Sequence, residues 1–128
     1  MIRRQYHGRH TDQGYLVWDV RKLLQQAQNL PIIEVPLSEI SELDDPYWYQ
    51  TPDVSPTCRH IADHFKQVSE ADLAYPILLC ADGGLMDGMH RVVKAYLQNL
   101  PSIKAQRLKV TPPPDYIDVD LRDLPYDD

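Results

Sequence analysis

Residues 85–95 read LMDGMHRVVKA, and this stretch decides the fold because it contains a change from strand to helix. An apolar run ends at Asp87-Gly88, and residues with helical spacing follow as far as Gln98. Aspartate is a favoured N-cap residue, so we expect Asp87 to cap a helix that starts at Gly88. The stretch therefore predicts a strand that leads directly into a helix.

The residues on both sides of this stretch supply the other elements. Asp82-Gly83 is typical of a two-residue hairpin turn, which would join a buried strand at 76–80 to the strand at 85–86. The remaining elements are helices at 20–27 after the cap Asp19 and from Ser55-Pro56 to about Ser69, strands at 32–37 and 103–110, a helical turn capped by Ser38, and an irregular loop at 44–56. This order predicts an α+β fold in which helices pack on a small mixed sheet.

The length of the chain fits one domain. With 128 residues, the range 1–128 is expected to form a single domain with its own core. Residues 1–18 are polar and aromatic without a period, so we expect an extended N-terminal arm. Residues 112–128 begin with three prolines and are rich in aspartate, so we expect an acidic C-terminal tail.

Charge and composition exclude several classes of function. The formal net charge of -6 argues against nucleic-acid binding, which needs a basic surface. No run approaches the ~20 apolar residues of a membrane span, and no signal peptide is evident at the N-terminus. Cys58 and Cys80 do not have the spacing of a redox or metal-binding pair, so reduced thiols are expected. These observations predict a cytoplasmic protein.

The predicted start of the helix has the composition of an anion-binding site. The N–H groups of Gly88, Met89 and His90 would lack intrahelical acceptors, and the helix dipole places about half a positive charge beside them. Arg91 adds a cation, and Lys94, one turn further, would extend the positive surface toward a second phosphate. A diphosphate fits this arrangement better than a carboxylate. The alternative is a capped helix whose basic side chains are only solvated.

Residues 86–95, MDGMHRVVKA, resemble the D-G-x-H-R signature of the ParB/sulfiredoxin superfamily. The resemblance implies the fold of that superfamily from about Ile32 to Val110, with nucleotide phosphates bound at the first turn of the helix. Sulfiredoxin has a cysteine directly before its His-Arg pair, whereas this chain has Met89, so sulfiredoxin chemistry is not expected. ParB proteins bind CTP and also carry a DNA-binding module, for which this chain has no room.

The motif also resembles that of the free serine kinases, which use ADP to phosphorylate an amino-acid hydroxyl. This resemblance implies an acidic base in the loop after the first strand, here SELDDPYW at 41–48. Asp45 or Asp44 would match that base, with Glu42 as a further candidate. The resemblance implies ADP, ATP or CTP as the nucleotide, clamped by His90 and Arg91, with Mg²⁺ bridging the phosphates.

Other polar and aromatic side chains offer alternatives. Glu34 lies opposite to its apolar neighbours in the predicted strand, so it either faces outward or provides a second acid. His60 and His64 lie one helical turn apart, but no third ligand is evident, so we expect no metal site there. Trp48 is expected to pack against the core.

We therefore predict a small nucleotide-dependent phosphotransferase or nucleotidase with a small-molecule acceptor, and with the phosphates bound at Gly88–Arg91. The alternative is a nucleotide-sensing module that binds a protein partner without turnover. The acidic loop distinguishes these hypotheses. If Asp44 and Asp45 both lie away from the pocket formed by His90 and Arg91, the kinase hypothesis loses its base and the sensing module is favoured.

Overall fold

The structure, a computed structural model, describes residues 6–50 and 55–125. In these residues three α-helices and two β-sheets form an α+β fold, as the sequence predicts. The elements are β1 (Tyr6–Thr11), β2 (Gly14–Asp19), α1 (Val20–Ala27), β3 (Ile33–Pro36), α2 (Cys58–Glu70), β4 (Ile77–Leu79), β5 (Leu85–Asp87), α3 (Met89–Leu97), β6 (Ser102–Arg107) and β7 (Tyr116–Ile117). None of the helices in this part of the chain is long and apolar enough to cross a membrane.

The larger sheet has four strands in the order β3-β6-β4-β5. It is mixed, because β4 runs parallel to β6 but antiparallel to β5, and β3 runs antiparallel to β6. The parallel connection from β4 to β6 contains β5 and α3. As a result, α3 starts at the edge of the sheet, directly after β5.

Both faces of this sheet are buried at β4, which explains the continuous apolar run PILLC. Successive residues of β4 point to opposite faces. On one face Ile77, Leu79 and Ala105 pack with Val92 and Ala95 of α3. On the other face Leu78, Cys80 and Met86 pack with Trp18, Leu23 and Ala27. Because each fully buried aliphatic side chain contributes about 1.5–3 kcal/mol, this two-sided core fixes α1 and α3 against the sheet.

The hairpin between β4 and β5 is confirmed, but its turn is longer than predicted. Cys80 N donates to Gly84 O over 2.8 Å, and Gly83 N donates to Cys80 O over 2.9 Å. The loop therefore contains residues 81–83 rather than the Asp82-Gly83 pair alone. Gly83 has a φ of 90°, which is typical of the third residue in a three-residue hairpin loop.

The prediction of an extended arm at residues 1–18 is wrong for the described part, residues 6–18. β1 and β2 form an antiparallel hairpin that pairs Tyr6 with Asp19 and Thr11 with Gly14. The hairpin is held against the rest of the fold because Trp18 is buried in the core beside α1. Residues 1–5 lie outside the described residues.

The acidic segment at 112–128 is not a free tail in its described part, residues 112–125. β7 pairs with β2, and the carboxylates of two aspartates satisfy backbone N–H groups of the N-terminal hairpin. Asp118 accepts from Tyr15 N over 2.8 Å, and Asp115 accepts from Asp19 N over the same distance. The acidic residues therefore complete the edge of the smaller sheet.

Two predicted caps are also wrong. α2 starts at Cys58 rather than at Pro56, because Thr57 and not Ser55 is the N-cap and accepts from His60 N. Ser38 caps no helix. Residues 37–44 form two short 3-10 helices, Leu37–Glu39 and Ser41–Asp44, neither with a side-chain cap.

Candidate functional site

Gly88 is the N-cap of α3, and its backbone conformation sets the geometry of the site. It has a φ of 109°, and no described side chain caps the helix. A Cβ at this position would lie 2.7 Å from Ile77 Cγ2 and 3.0 Å from Arg91 Nη2, so glycine is required. The prediction that Asp87 caps a helix starting at Gly88 is therefore wrong, and α3 starts at Met89.

Asp87 forms an ion pair with Arg91 instead of capping the helix. Its Oδ2 accepts from Arg91 Nη2 over 3.0 Å, and the two side chains are 15% and 18% exposed. Burial raises the pKa of Asp87, and the positive charge and hydrogen bond of Arg91 offset this effect only in part. The first N–H groups of α3, those of Met89, His90 and Arg91, remain without an intrahelical acceptor.

A cavity of about 610 Å³ opens at this helix start. Asp87, Gly88, His90 and Arg91 form one side of it, and α1 and the C-terminal end of α2 form the other walls. Its volume lies within the range of about 300–1,000 Å³ found for pockets that hold small molecules and cofactors. The structure therefore brings four of the six predicted binding residues to one cavity.

The side chains of the other two predicted binding residues do not line the cavity. Met89 is 5% exposed and belongs to the core on the α3 side of the sheet. Lys94 Nζ donates to the carbonyl oxygens of Ser69 and Ala71 over 3.1 and 2.6 Å. The prediction that Lys94 extends the phosphate site is thus not supported, because its ammonium group binds the C-terminal end of α2.

His90 is neutral and takes part in an aromatic stack. Its Nε2 lies 2.9 Å from His64 Nδ1, and the Trp48 ring stacks on both imidazoles at centroid distances of 4.7 and 4.0 Å. Burial, followed by the nearby His64 and the positive charge of Arg91, lowers the pKa of His90 to about 4. With this pKa His90 is uncharged at neutral pH, so the positive charge that α3 brings to the cavity comes from Arg91, while Arg21 lines the cavity from α1.

The predicted acids do not line the cavity. Asp44 and Asp45 are exposed at the end of a 3-10 helix, and Glu34 is exposed on the edge strand β3, where it accepts from Ser102 Oγ. Glu42 accepts from Leu85 N through Oε2, while its buried Oε1 has no partner among the described residues. The described carboxylates that line the cavity are Asp72 and Asp87.

Several cavity residues were not predicted, because they come from distant parts of the chain. They are Arg21 and Leu24 of α1, Gln67 of α2, and Asp72 and Tyr75 of the loop that follows α2. The sequence contained no sign that α1 packs beside the start of α3.

The two histidines of α2 make separate contacts. His64 is bonded to His90, whereas His60 Nδ1 lies 2.9 Å from Ser55 O. Among the described residues no group of three or more His, Cys, Asp or Glu could hold a metal ion. Cys58 and Cys80 are both free thiols.

Comparison of the chain with protein-family models, with curated proteins and with solved structures finds no match.

Proposed function

We propose that this chain binds a nucleoside phosphate at the start of α3 and acts as a nucleotide-sensing module. The observation that carries the proposal is the uncapped first turn of α3, which opens into the cavity beside Arg91. Free N–H groups, the helix dipole and a guanidinium together favour a phosphate. The D-G-x-H-R resemblance adds to this argument, and with it we propose a ParB/sulfiredoxin-like fold.

Sensing is favoured over phosphotransfer because of the positions of the acids. Phosphoryl transfer to a hydroxyl needs a base beside the acceptor, and neither Asp44 nor Asp45 is among the described residues that line the cavity. A ligand at the start of α3 would instead contact His90. Because Trp48 stacks on His90, the ligand would change the position of the loop at 44–50, and this loop would then bind a protein partner.

A phosphotransferase is the second candidate function, and the position and pKa of Asp87 favour it. Its carboxyl group lines the cavity, and burial raises its pKa, a change that makes a carboxylate more basic. Mg²⁺ would bridge the phosphates of ADP, ATP or CTP in this case. Transfer to an acceptor that Asp87→Asn abolishes while nucleotide binding persists would establish this candidate and contradict the sensing module.

Calorimetric titration with ADP, ATP, CTP and pyrophosphate tests the phosphate site. The variant is Asp87→Asn with Arg91→Gln, which removes the cation without leaving a buried carboxylate unpaired. Because a hydrogen bond to a charged group is worth about 1.5–3 kcal/mol, the dissociation constant should rise at least about tenfold.

The control for this experiment neutralises one arginine and one aspartate outside the cavity. Arg59→Gln with Asp63→Asn changes two exposed residues of α2 that are spaced as Asp87 and Arg91 are. Its affinity for each ligand should equal that of the unmodified chain. The proposal fails if the unmodified chain binds none of the four ligands, or if the cavity variant binds them as tightly as the control does.

A further inference from the structure

The cavity at the start of α3 has an apolar side as well as a charged one. Val20 and Leu24 of α1 face it from one wall, and Tyr75 and Pro76 from another. Tyr75 is 64% exposed and Leu24 is 39% exposed, so both side chains present apolar surface to solvent at the rim. A phosphate alone would leave this surface uncovered, since the phosphate contacts lie at Gly88 and Arg91.

Arg21 brings N–H donors to the same side of the cavity, and Asp72 and Gln106 bring acceptors. Asp72 Oδ1 accepts from Ala74 N over 2.9 Å, and its Oδ2 accepts from no described residue. Gln106 Nε2 donates to the carbonyl oxygens of Ala27 and Leu30, which leaves Oε1 as its contribution to the cavity. Gln67 makes no side-chain hydrogen bond within the described residues. A ligand that satisfies the acceptors of Asp72 and Gln106 should therefore carry N–H donors.

We propose that this side of the cavity binds the nucleobase of the nucleoside phosphate, with Tyr75 stacking on the ring and Leu24 covering it. This inference rests on the proposed phosphate site. A flat ring with an exocyclic amino group matches both the apolar walls and the acceptors of Asp72 and Gln106. Adenine and cytosine nucleotides are consequently favoured over uracil nucleotides, and a nucleotide is favoured over pyrophosphate.

Stacking of a base on an aromatic side chain is worth about 1–3 kcal/mol by alanine substitution, which corresponds to roughly a 5- to 150-fold change in affinity. Tyr75→Ala should raise the dissociation constant for ADP within this range. It should leave the dissociation constant for pyrophosphate unchanged, because pyrophosphate has no ring to stack. The ratio of the two constants therefore isolates the base-binding side from the phosphate-binding side.

Titration calorimetry of ADP, UDP and pyrophosphate against the full chain measures these constants. The matched control is Tyr96→Ala, which removes a tyrosine of similar exposure, 61%, from a position of α3 outside the residues that line the cavity. Both variants should unfold at the same temperature as the unmodified chain, since neither ring is buried. Tyr96→Ala should bind all three ligands normally.

A second variant tests the role of Asp72 as a hydrogen-bond acceptor for the base. Asp72→Asn keeps an oxygen for Ala74 N but replaces the other acceptor with a donor, so it should narrow the preference for ADP over UDP. The inference is overturned if the unmodified chain binds ADP and pyrophosphate equally tightly, or if Tyr75→Ala binds ADP normally. In both of these cases binding of pyrophosphate leaves the proposed phosphate site intact. If the unmodified chain binds none of the three ligands, both the base-binding inference and the proposed phosphate site are overturned.

Discussion

Two helices of this fold follow an aspartate at the end of a strand, and they start in different ways. Asp19 ends β2 and directly precedes α1, and its Oδ1 accepts from Arg21 N over 3.0 Å. Asp87 ends β5 but is separated from α3 by Gly88, and its carboxylate binds Arg91. The first turn of α1 is therefore capped by a side chain, while that of α3 is open to the cavity.

One glycine causes this difference. With a φ of 109°, Gly88 turns the chain between Asp87 and Met89 so that the aspartate is no longer the N-cap. Both helix starts border the same cavity, since Arg21 and Arg91 line it together. The comparison shows that an aspartate before a helix identifies a cap only when it occupies the N-cap position itself.

Gly88→Ala should have the largest effect, because it places a side chain where the start of α3 has no room for one. Alanine at this position would have to adopt a positive φ. Its Cβ would also collide with Ile77, which is 0% exposed and has no room to move. We expect a loss of about 3 kcal/mol or more in the free energy of unfolding, measured by urea denaturation.

Gly83→Ala is the control for this prediction. Gly83 also has a positive φ, 90°, but its Cβ would meet only the Arg107 side chain at 3.9 Å. It should lose about 1 kcal/mol from backbone strain alone. Equal losses at the two positions would show that contact with Ile77 does not constrain the start of α3.

His90 in the first turn of α3 should make stability depend on pH. Its folded pKa of about 4 is lower than the unfolded value of 6.5, so the unfolded chain binds more protons between these values. Stability is therefore present above pH 6.5 and is lost as pH falls toward 4. Because the ring is only partly buried, we expect His90 to account for a loss on the order of 1–2 kcal/mol.

Urea denaturation at pH 7 and pH 4.5 measures this loss, and His90→Gln should reduce it. His7 contributes in the same direction, because burial and then the charge of Arg9 lower its pKa to about 3. The double variant His7→Gln with His90→Gln should therefore be less sensitive to acid than either single variant. If His90→Gln loses as much stability between the two pH values as the unmodified chain, His90 is not held neutral.

The central part of the fold could be predicted because its signals are local. The hairpin of β4 and β5, the helix that follows it and the cap Asp19 were all read from neighbouring residues. Asp87 was misassigned because the sequence does not reveal the positive φ of Gly88, which makes Gly88 rather than Asp87 the N-cap.

Long-range partners explain the other errors. Lys94 was predicted to face a phosphate, but its acceptors are carbonyl oxygens at the end of α2. The pairing of β2 with β7 was missed because β7 comes from the far end of the chain. Ile61 and Phe65 have helical spacing with Val68, yet they are 49% and 63% exposed, because within α2 the buried residue is Val68.

Asp19→Ala should cost about 1 kcal/mol in the free energy of unfolding, within the usual range of about 0.5–2 kcal/mol for loss of a cap. Asp19→Asn should restore most of this stability, because its side-chain oxygen can accept from Arg21 N. Asp87→Asn should leave the capping of α3 unchanged, because Asp87 caps nothing. If Asp19→Ala and Asp19→Asn have the same stability, the contrast between the two helix starts does not depend on the cap.

Lys94→Met should have the smallest effect. It removes a contact at the C-terminal end of α2, whereas the comparison above concerns the N-terminal ends of α1 and α3. Its ammonium group donates to Ser69 O and Ala71 O, where the dipole of α2 is negative. Methionine keeps the apolar part of the side chain but removes the charge, so we expect a loss of about 0.5–1 kcal/mol that decreases with added salt. Lys94→Met should bind pyrophosphate as tightly as the unmodified chain does. A weakened affinity without loss of stability would return Lys94 to the phosphate site and would show that both ends of the positive surface predicted from LMDGMHRVVKA face the cavity.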